Sequence, residues 1–219
     1  WPLYASGLDS DEYGGRWMQP RFYDPALIEE DLALMRKLGM NLVSIQLGTP
    51  EEIHCLRDFM RRCGERGIWV NGFLRAASPV AFDEAGVRAL IEGAGLRDSP
   101  VLFAYDTIWE AGNHLFKGPG RKSWDPEWRR WIVERYGSIE NAERDWAFAA
   151  PREGDRLTAP SDKQMQSDGS WRAMVAAYRR FMDDITSRRW NDATRRLRAV
   201  DPNHLISFRQ GNTLFYDFA

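Results

Sequence analysis

The chain has 219 residues, 43% of them hydrophobic and 28% charged, an ordinary globular balance that argues against disorder, collagen-like repeats and coiled coils. Thirty Lys and Arg against 32 Asp and Glu leave a formal charge of −2, which lacks the basic footprint of a nucleic-acid binder. No apolar run reaches ten residues, so no transmembrane helix is expected; no signal-peptide pattern is legible in the first residues.

The first helix is marked by Asp24 as cap, Pro25 at the first helical position, and Leu27, Ile28, Leu32, Met35 and Leu38 at helical spacing, with Gly39 closing it. An apolar strand follows over 41–47. Thr49, Pro50 and Glu52 form a capping-box signature for a second helix, whose stripe is Ile53, Leu56, Met60 and Cys63 and which Gly67 stops. Cys55 and Cys63, eight residues apart on that helix, would lie about 12 Å apart, beyond disulfide reach. They read as free buried thiols, leaning toward a reducing compartment.

A second strand covers 68–74, a third helix about 84–95, and a third strand 101–110, which starts as a continuous apolar run of the kind buried on both faces. Strands and helices thus alternate with the rhythm of a parallel α/β sheet, compatible with an open doubly wound sheet or a closed eight-stranded barrel. No GxGxxG or Walker pattern follows a strand.

The rhythm then breaks. Turn chemistry at Gly112, Gly118, Pro119 and Gly120 leads into two short helices. The first carries Trp124, Trp128 and Trp131 at the spacing of a packed face, and the second runs from Ser138 to Trp146. The polar segment 151–168 reads as loop, a long helix covers about 169–200, and a last strand 204–210. The Arg-rich side of the long helix reads as a solvated face.

A large insertion after a strand points to the carboxyl edge of the sheet, where α/β folds build their sites. Glu110 is the leading catalytic candidate: it ends a buried strand at the base of the insertion, next to Trp109, and partial desolvation of a carboxyl favours its protonated, proton-donating form. Asp106 shares its parity and needs a partner if buried, which Arg75 or Arg209 would supply; both arginines lie at strand ends, and each is a ligand contact or a salt-bridge partner. Gln46 occupies the equivalent end of the first complete strand. The scattered histidines and two cysteines call for no metal and no cofactor.

Three stretches resemble a known group. Asp31-Leu32-Ala33-Leu34-Met35-Arg36-Lys37-Leu38-Gly39-Met40-Asn41-Leu42-Val43 is similar to the first-to-second-strand region of TIM-barrel retaining glycoside hydrolases, the superfamily of β-galactosidases, mannanases and cellulases. Trp128 through Ala142 and Trp146, with Arg135-Tyr136-Gly137-Ser138-Ile139-Glu140, resembles the segment after strand four in glycosidases of the family 42 type. Asp201-Pro202-Asn203-His204-Leu205-Ile206 resembles the entry to strand five.

The resemblance implies a (β/α)8 barrel of which residues 1–219 are the N-terminal part of one catalytic domain, about strands one to five, with an insertion over about 111–168. Strand one would end at Trp1–Tyr4, and strands two to five would be 42–47, 68–74, 101–109 and 204–210. Glu110 would be the acid/base of a retaining two-carboxylate mechanism acting on a carbohydrate, and the nucleophile Glu would lie beyond residue 219 with the remainder of the barrel. Trp109, Asn113, Arg75, Arg209, Asp106 and Tyr4 would contact substrate. The family places Asn immediately before its acid/base; here Trp109 stands there, with Asn113 as a partial substitute. That departure motivates an alternative, a catalytically silent glycan-binding barrel. A metal-dependent barrel hydrolase is a third reading, opposed by the histidine supply.

Overall fold

A computed structural model describes residues 18–109 and 118–209. They fall into two compact units, one of 18–109 with 190–209 and the other of 118–189.

In the first unit, α1 (Pro25–Lys37) starts where predicted: the Asp24 carboxylate accepts from the N–H groups of Ala26 and Leu27, and Gly39 takes the left-handed conformation at φ 79° that ends the helix. β1 (Leu42–Gln46) leads through a 3₁₀ turn, Pro50–Glu52, into α2 (Ile53–Glu65). The buried Glu52 carboxylate accepts from the Thr49 N–H at 3.0 Å, the back half of the predicted capping box. β2 (Trp69–Phe73), α3 (Glu84–Ala94), β3 (Leu102–Trp109) and β6 (Leu205–Arg209) complete the unit together with the end of α8 (Arg172–Val200). Cys55 and Cys63 are free and buried on α2, as their spacing implied.

Among the described residues, four parallel strands pair in the order β1-β2-β3-β6. Each new strand adds to the same edge. A doubly wound sheet reverses its order at a switch point, and these strands contain no reversal. Val43, Ile45, Val70, Leu102 and Tyr105 join Ile28, Leu32, Leu56, Phe59, Ile91 and Leu197 of the helices in one apolar core. Side chains alternate along a strand, so the intervening residues face away from those helices.

That second face is not covered as the apolar run in β3 had implied. Leu42, Trp69, Phe103 and Leu205, one near the start of each strand, are 44%, 46%, 46% and 55% exposed. The register shift between Val70 and Asn71 skips Phe103, which is why β3 shows two adjacent residues where β2 shows one.

The amino ends of β3 and β6 are locked by the Asp-Pro-Asn-His motif. Asp201 is buried and accepts from Tyr105 Oη at 2.7 Å and from the Asn203 and His204 backbone N–H groups; its carboxylate also lies 2.8 Å from His204 Nδ1. Burial pushes the Asp201 carboxyl up, but the hydrogen bonds from Tyr105, His204 and the Asn203 N–H outweigh it and hold it below the usual carboxylate range. The motif therefore has a structural job at the end of the sheet away from the carboxyl edge.

The second unit begins with a short helix, α4 (Gly118–Lys122), where the glycines and proline had suggested turns. α5 (Asp125–Tyr136) and α6 (Ile139–Trp146) follow, α6 capped by Ser138. The segment 151–168 is a correction to the loop reading: it holds a two-residue antiparallel ribbon, β4 (Arg152–Glu153) with β5 (Arg156–Leu157), and a short helix, α7 (Asp162–Gln166), capped by Ser161 and Gln164. Polar composition hid them because a one-turn helix and a two-pair ribbon carry almost no periodicity. The tryptophan stripe is core, as its spacing implied. Trp128 is fully buried, stacked on Trp131 at 5.4 Å and Trp146 at 5.8 Å, with Tyr178 of α8 edge-on at 5.1 Å.

Candidate functional site

The face turned away from the helices becomes polar halfway up the strands. In each strand one mid-strand polar residue replaces an apolar one: Ser44 in β1, Asn71 in β2, Asp106 in β3 and Ser207 in β6. The register sets Ser44 beside Asn71 and Asp106 beside Ser207.

Asp106 is the hub. Its Oδ2 accepts from Asn71 Nδ2 at 2.9 Å, an Arg209 guanidinium nitrogen at 3.0 Å and Trp109 Nε1 at 3.2 Å, while its Oδ1 accepts from Ser207 Oγ. The same Arg209 nitrogen donates to Ser44 Oγ at 2.5 Å. The Asp106 side chain is 4% exposed and the Arg209 side chain 46%. A buried carboxylate is tolerated because all of these donors converge on it.

Above this tier, at the carboxyl ends of the strands, aromatic rings and guanidinium groups alternate. Trp109 stacks on Phe73 with ring centroids 4.4 Å apart and planes 18° apart. The Arg209 guanidinium carbon lies 4.8 Å from the Trp109 ring centroid, and that of Arg75 lies 5.9 Å from the Phe73 centroid. Trp109 is thus held three ways: by stacking, by the cation over its ring and by its N–H bond to Asp106.

Of the residues singled out in the sequence, the structure brings Asp106, Trp109 and Arg209 into direct contact and sets Arg75 against the ring that supports Trp109. Arg209, rather than Arg75, is the partner of Asp106. Glu110, Asn113 and Tyr4 lie outside the described residues. Ser44, Asn71, Ser207 and Phe73 were missed. Their signal was present: a polar residue midway along each apolar strand, with Ser44 in register with Asn71 and Asp106 with Ser207.

No family model matches the chain, and no curated protein matches it. Among solved structures it is similar to the cold-adapted β-galactosidase from Rahnella sp. R3, with 18% identity and a TM-score of 0.58 over 83% of this chain and 33% of that one. At that identity, the likeness shows the fold alone. The chain spans about one third of the length of the β-galactosidase chain.

Proposed function

We propose that the chain is part of a (β/α)8-barrel retaining glycoside hydrolase, with Glu110 as its general acid/base. The observation that carries this reading is the Asp106–Arg209–Trp109 cluster on the face away from the helices, at the carboxyl end of the strand that leads into Glu110. Such an edge is where barrel enzymes build their sites. The unreversed strand order and the likeness to a β-galactosidase structure support it. So does the uncovered row of Leu42, Trp69 and Leu205, since a parallel sheet is stable with both faces buried and further barrel strands would cover that row.

In this reading the protonated Glu110 carboxyl donates its proton to the glycosidic oxygen as the bond to the anomeric carbon breaks. A second carboxylate, on a barrel strand beyond residue 219 and about 5–5.5 Å away, attacks that carbon and forms a glycosyl ester. Glu110, now a carboxylate, takes a proton from water, and the resulting nucleophile releases the sugar. Trp109, Arg75 and Arg209 line the approach, Asp106 fixes Arg209 and Trp109, and Asn113 and Tyr4 complete the substrate contacts.

One observation favours a second reading, a glycan-binding barrel without turnover. Trp109 stands where the glycosidases carry Asn, and its ring and N–H are already engaged by Phe73, Arg209 and Asp106. Hydrolysis of an alkyl β-galactoside by the full-length protein, with loss on Glu110→Gln, separates the two: binding without turnover selects the second.

A further inference from the structure

The strand that leads to Glu110 is irregular at its end. Asp106 pairs with Ser207 and Trp109 with Arg209, so β3 advances three residues where β6 advances two. One extra residue in a strand is a bulge, which bends it and re-aims the side chains that follow. Strict alternation would put Trp109 on the face opposite Asp106. The bulge brings it round to the Asp106 side, where its Nε1 donates to Asp106 Oδ2 at 3.2 Å. Within the bulge, the buried Thr107 donates its hydroxyl to the Ser207 carbonyl at 3.2 Å and ties the irregular stretch to β6.

The redirected indole is then fixed by residues of both flanking strands. Phe73 of β2 stacks on it at 4.4 Å, and the Arg209 guanidinium of β6 lies 4.8 Å from its ring centroid. Asp106, Arg209 and Trp109 form a closed triangle, each touching the other two, because Arg209 also donates to Asp106 at 3.0 Å. Apolar packing alone would hold a ring at the top of a sheet. A triangle that spends the indole N–H on a buried carboxylate also fixes the rotation of the ring. The residue after an anchored one has few directions open to it, because only two soft backbone angles per residue separate them. Glu110 is that residue.

We propose that Trp109 is a positioning residue: through the bulged strand end it sets the aim of Glu110 at the glycosidic oxygen, and it is not a platform on which the sugar stacks. The inference rests on the glycosidase reading above. A general acid must come within hydrogen-bond reach of the oxygen it protonates, and a misplacement of about 1 Å costs about 10²-fold in rate. The ring that a stacked sugar would need already lies against Phe73 and Arg209.

The test measures kcat/KM of the full-length protein on an alkyl and on a dinitrophenyl β-galactoside, for Trp109→Ala, Trp109→Phe and Glu110→Gln. A misplaced acid slows the substrate whose leaving group needs a proton, whereas a lost sugar contact or a smaller folded fraction lowers both values alike. Trp109→Ala is expected to cut the alkyl value by about 10- to 10²-fold and the dinitrophenyl value by under about threefold. Trp109→Phe keeps a ring to pack on Phe73 and gives up the N–H bond to Asp106, so it folds and shows the same selectivity at about three- to tenfold. Equal losses on the two substrates, or none, in the folded Trp109 variants overturn the proposal; the hydrolase reading then stands if Glu110→Gln still slows the alkyl substrate selectively. Absence of turnover, or alkyl turnover untouched by Glu110→Gln, removes the glycosidase reading and this inference with it.

Discussion

Replacing Asp106 by Ala removes the acceptor on which four side chains converge, and the structure orders the cost by donor. Arg209 is 46% exposed, so its guanidinium turns to water when released, and that pair is worth at most about 1 kcal/mol. Asn71 and Ser207 lie part-buried against the carboxylate. Stranding two such donors costs about 1–3 kcal/mol each, diluted where water reaches them. Asp106→Ala is therefore expected to destabilise the first unit by about 3 kcal/mol, and Arg209→Gln by under about 1 kcal/mol. Asp106→Asn keeps the volume but turns an acceptor into a donor facing donors, and falls between them. Urea unfolding followed by far-ultraviolet dichroism and by tryptophan fluorescence reads both, with two probes because a chain of two units need not unfold in one step. The reasoning is refuted if Asp106→Ala costs no more than Arg209→Gln, because the carboxylate would then be an ordinary surface partner.

Three further outcomes follow from the packing and the charges. Burial pushes the Asp58 carboxyl up, but hydrogen bonds from Arg62, Arg61 and Tyr23 outweigh it and bring it down to about 2; Asp201 is held low in the same direction. Both carboxyls lie below their unfolded values near 4, so their stabilisation is present above about pH 4 and is lost as pH falls toward 2. Acid titration of stability should show this limb, and Asp58→Asn with Asp201→Asn should flatten it; an unchanged limb contradicts the assignment. Trp128→Ala, which empties the centre of the second unit's aromatic cluster, is expected to cost about 3–5 kcal/mol and to erase near-ultraviolet dichroism from that cluster. Gly72→Ala would set a methyl 2.6–2.8 Å from the buried Leu47 side chain, so a loss of about 1–3 kcal/mol is expected in thermal melts; a neutral change means that Leu47 moves aside freely.

The helices of the first unit were legible because each carries both a stripe and punctuation. Asp24-Pro25 and Gly39 bound α1, and Gly67 bounds α2, so boundaries followed from chemistry as much as from periodicity. The strand rhythm gave a parallel sheet but not its winding, because strand order depends on which edge each unit joins and no local residue encodes that. The short elements within 151–168 were hidden for the opposite reason, being too brief for any period to register. At the site, parity along β3 had set Asp106 on the face of Glu110, which lies outside the described residues. The irregular register between Asp106 and Trp109 instead brings Trp109 to the Asp106 side. The need of a buried carboxylate for a cation pointed to Arg209 or Arg75. Choosing between them required the register that sets Trp109 beside Arg209. The Asn71 and Ser207 contacts depend on the same register and were beyond single-strand reasoning. The Asp201 motif shows the converse risk: a segment similar to one in an enzyme family turned out to tie Tyr105, Asn203 and His204 at the far end of the strands.

The central claim is that the strand end after Trp109 presents a proton donor to a glycosidic oxygen. Its most direct test compares turnover of an alkyl β-galactoside and of a dinitrophenyl β-galactoside by the full-length protein and by its Glu110→Gln variant. Loss of general acid catalysis should slow the alkyl substrate by about 10²–10⁴-fold, and glycosyl transfer from the dinitrophenyl substrate, whose leaving group needs no proton, should be far less affected. Equal turnover of the alkyl substrate by both proteins would contradict the account.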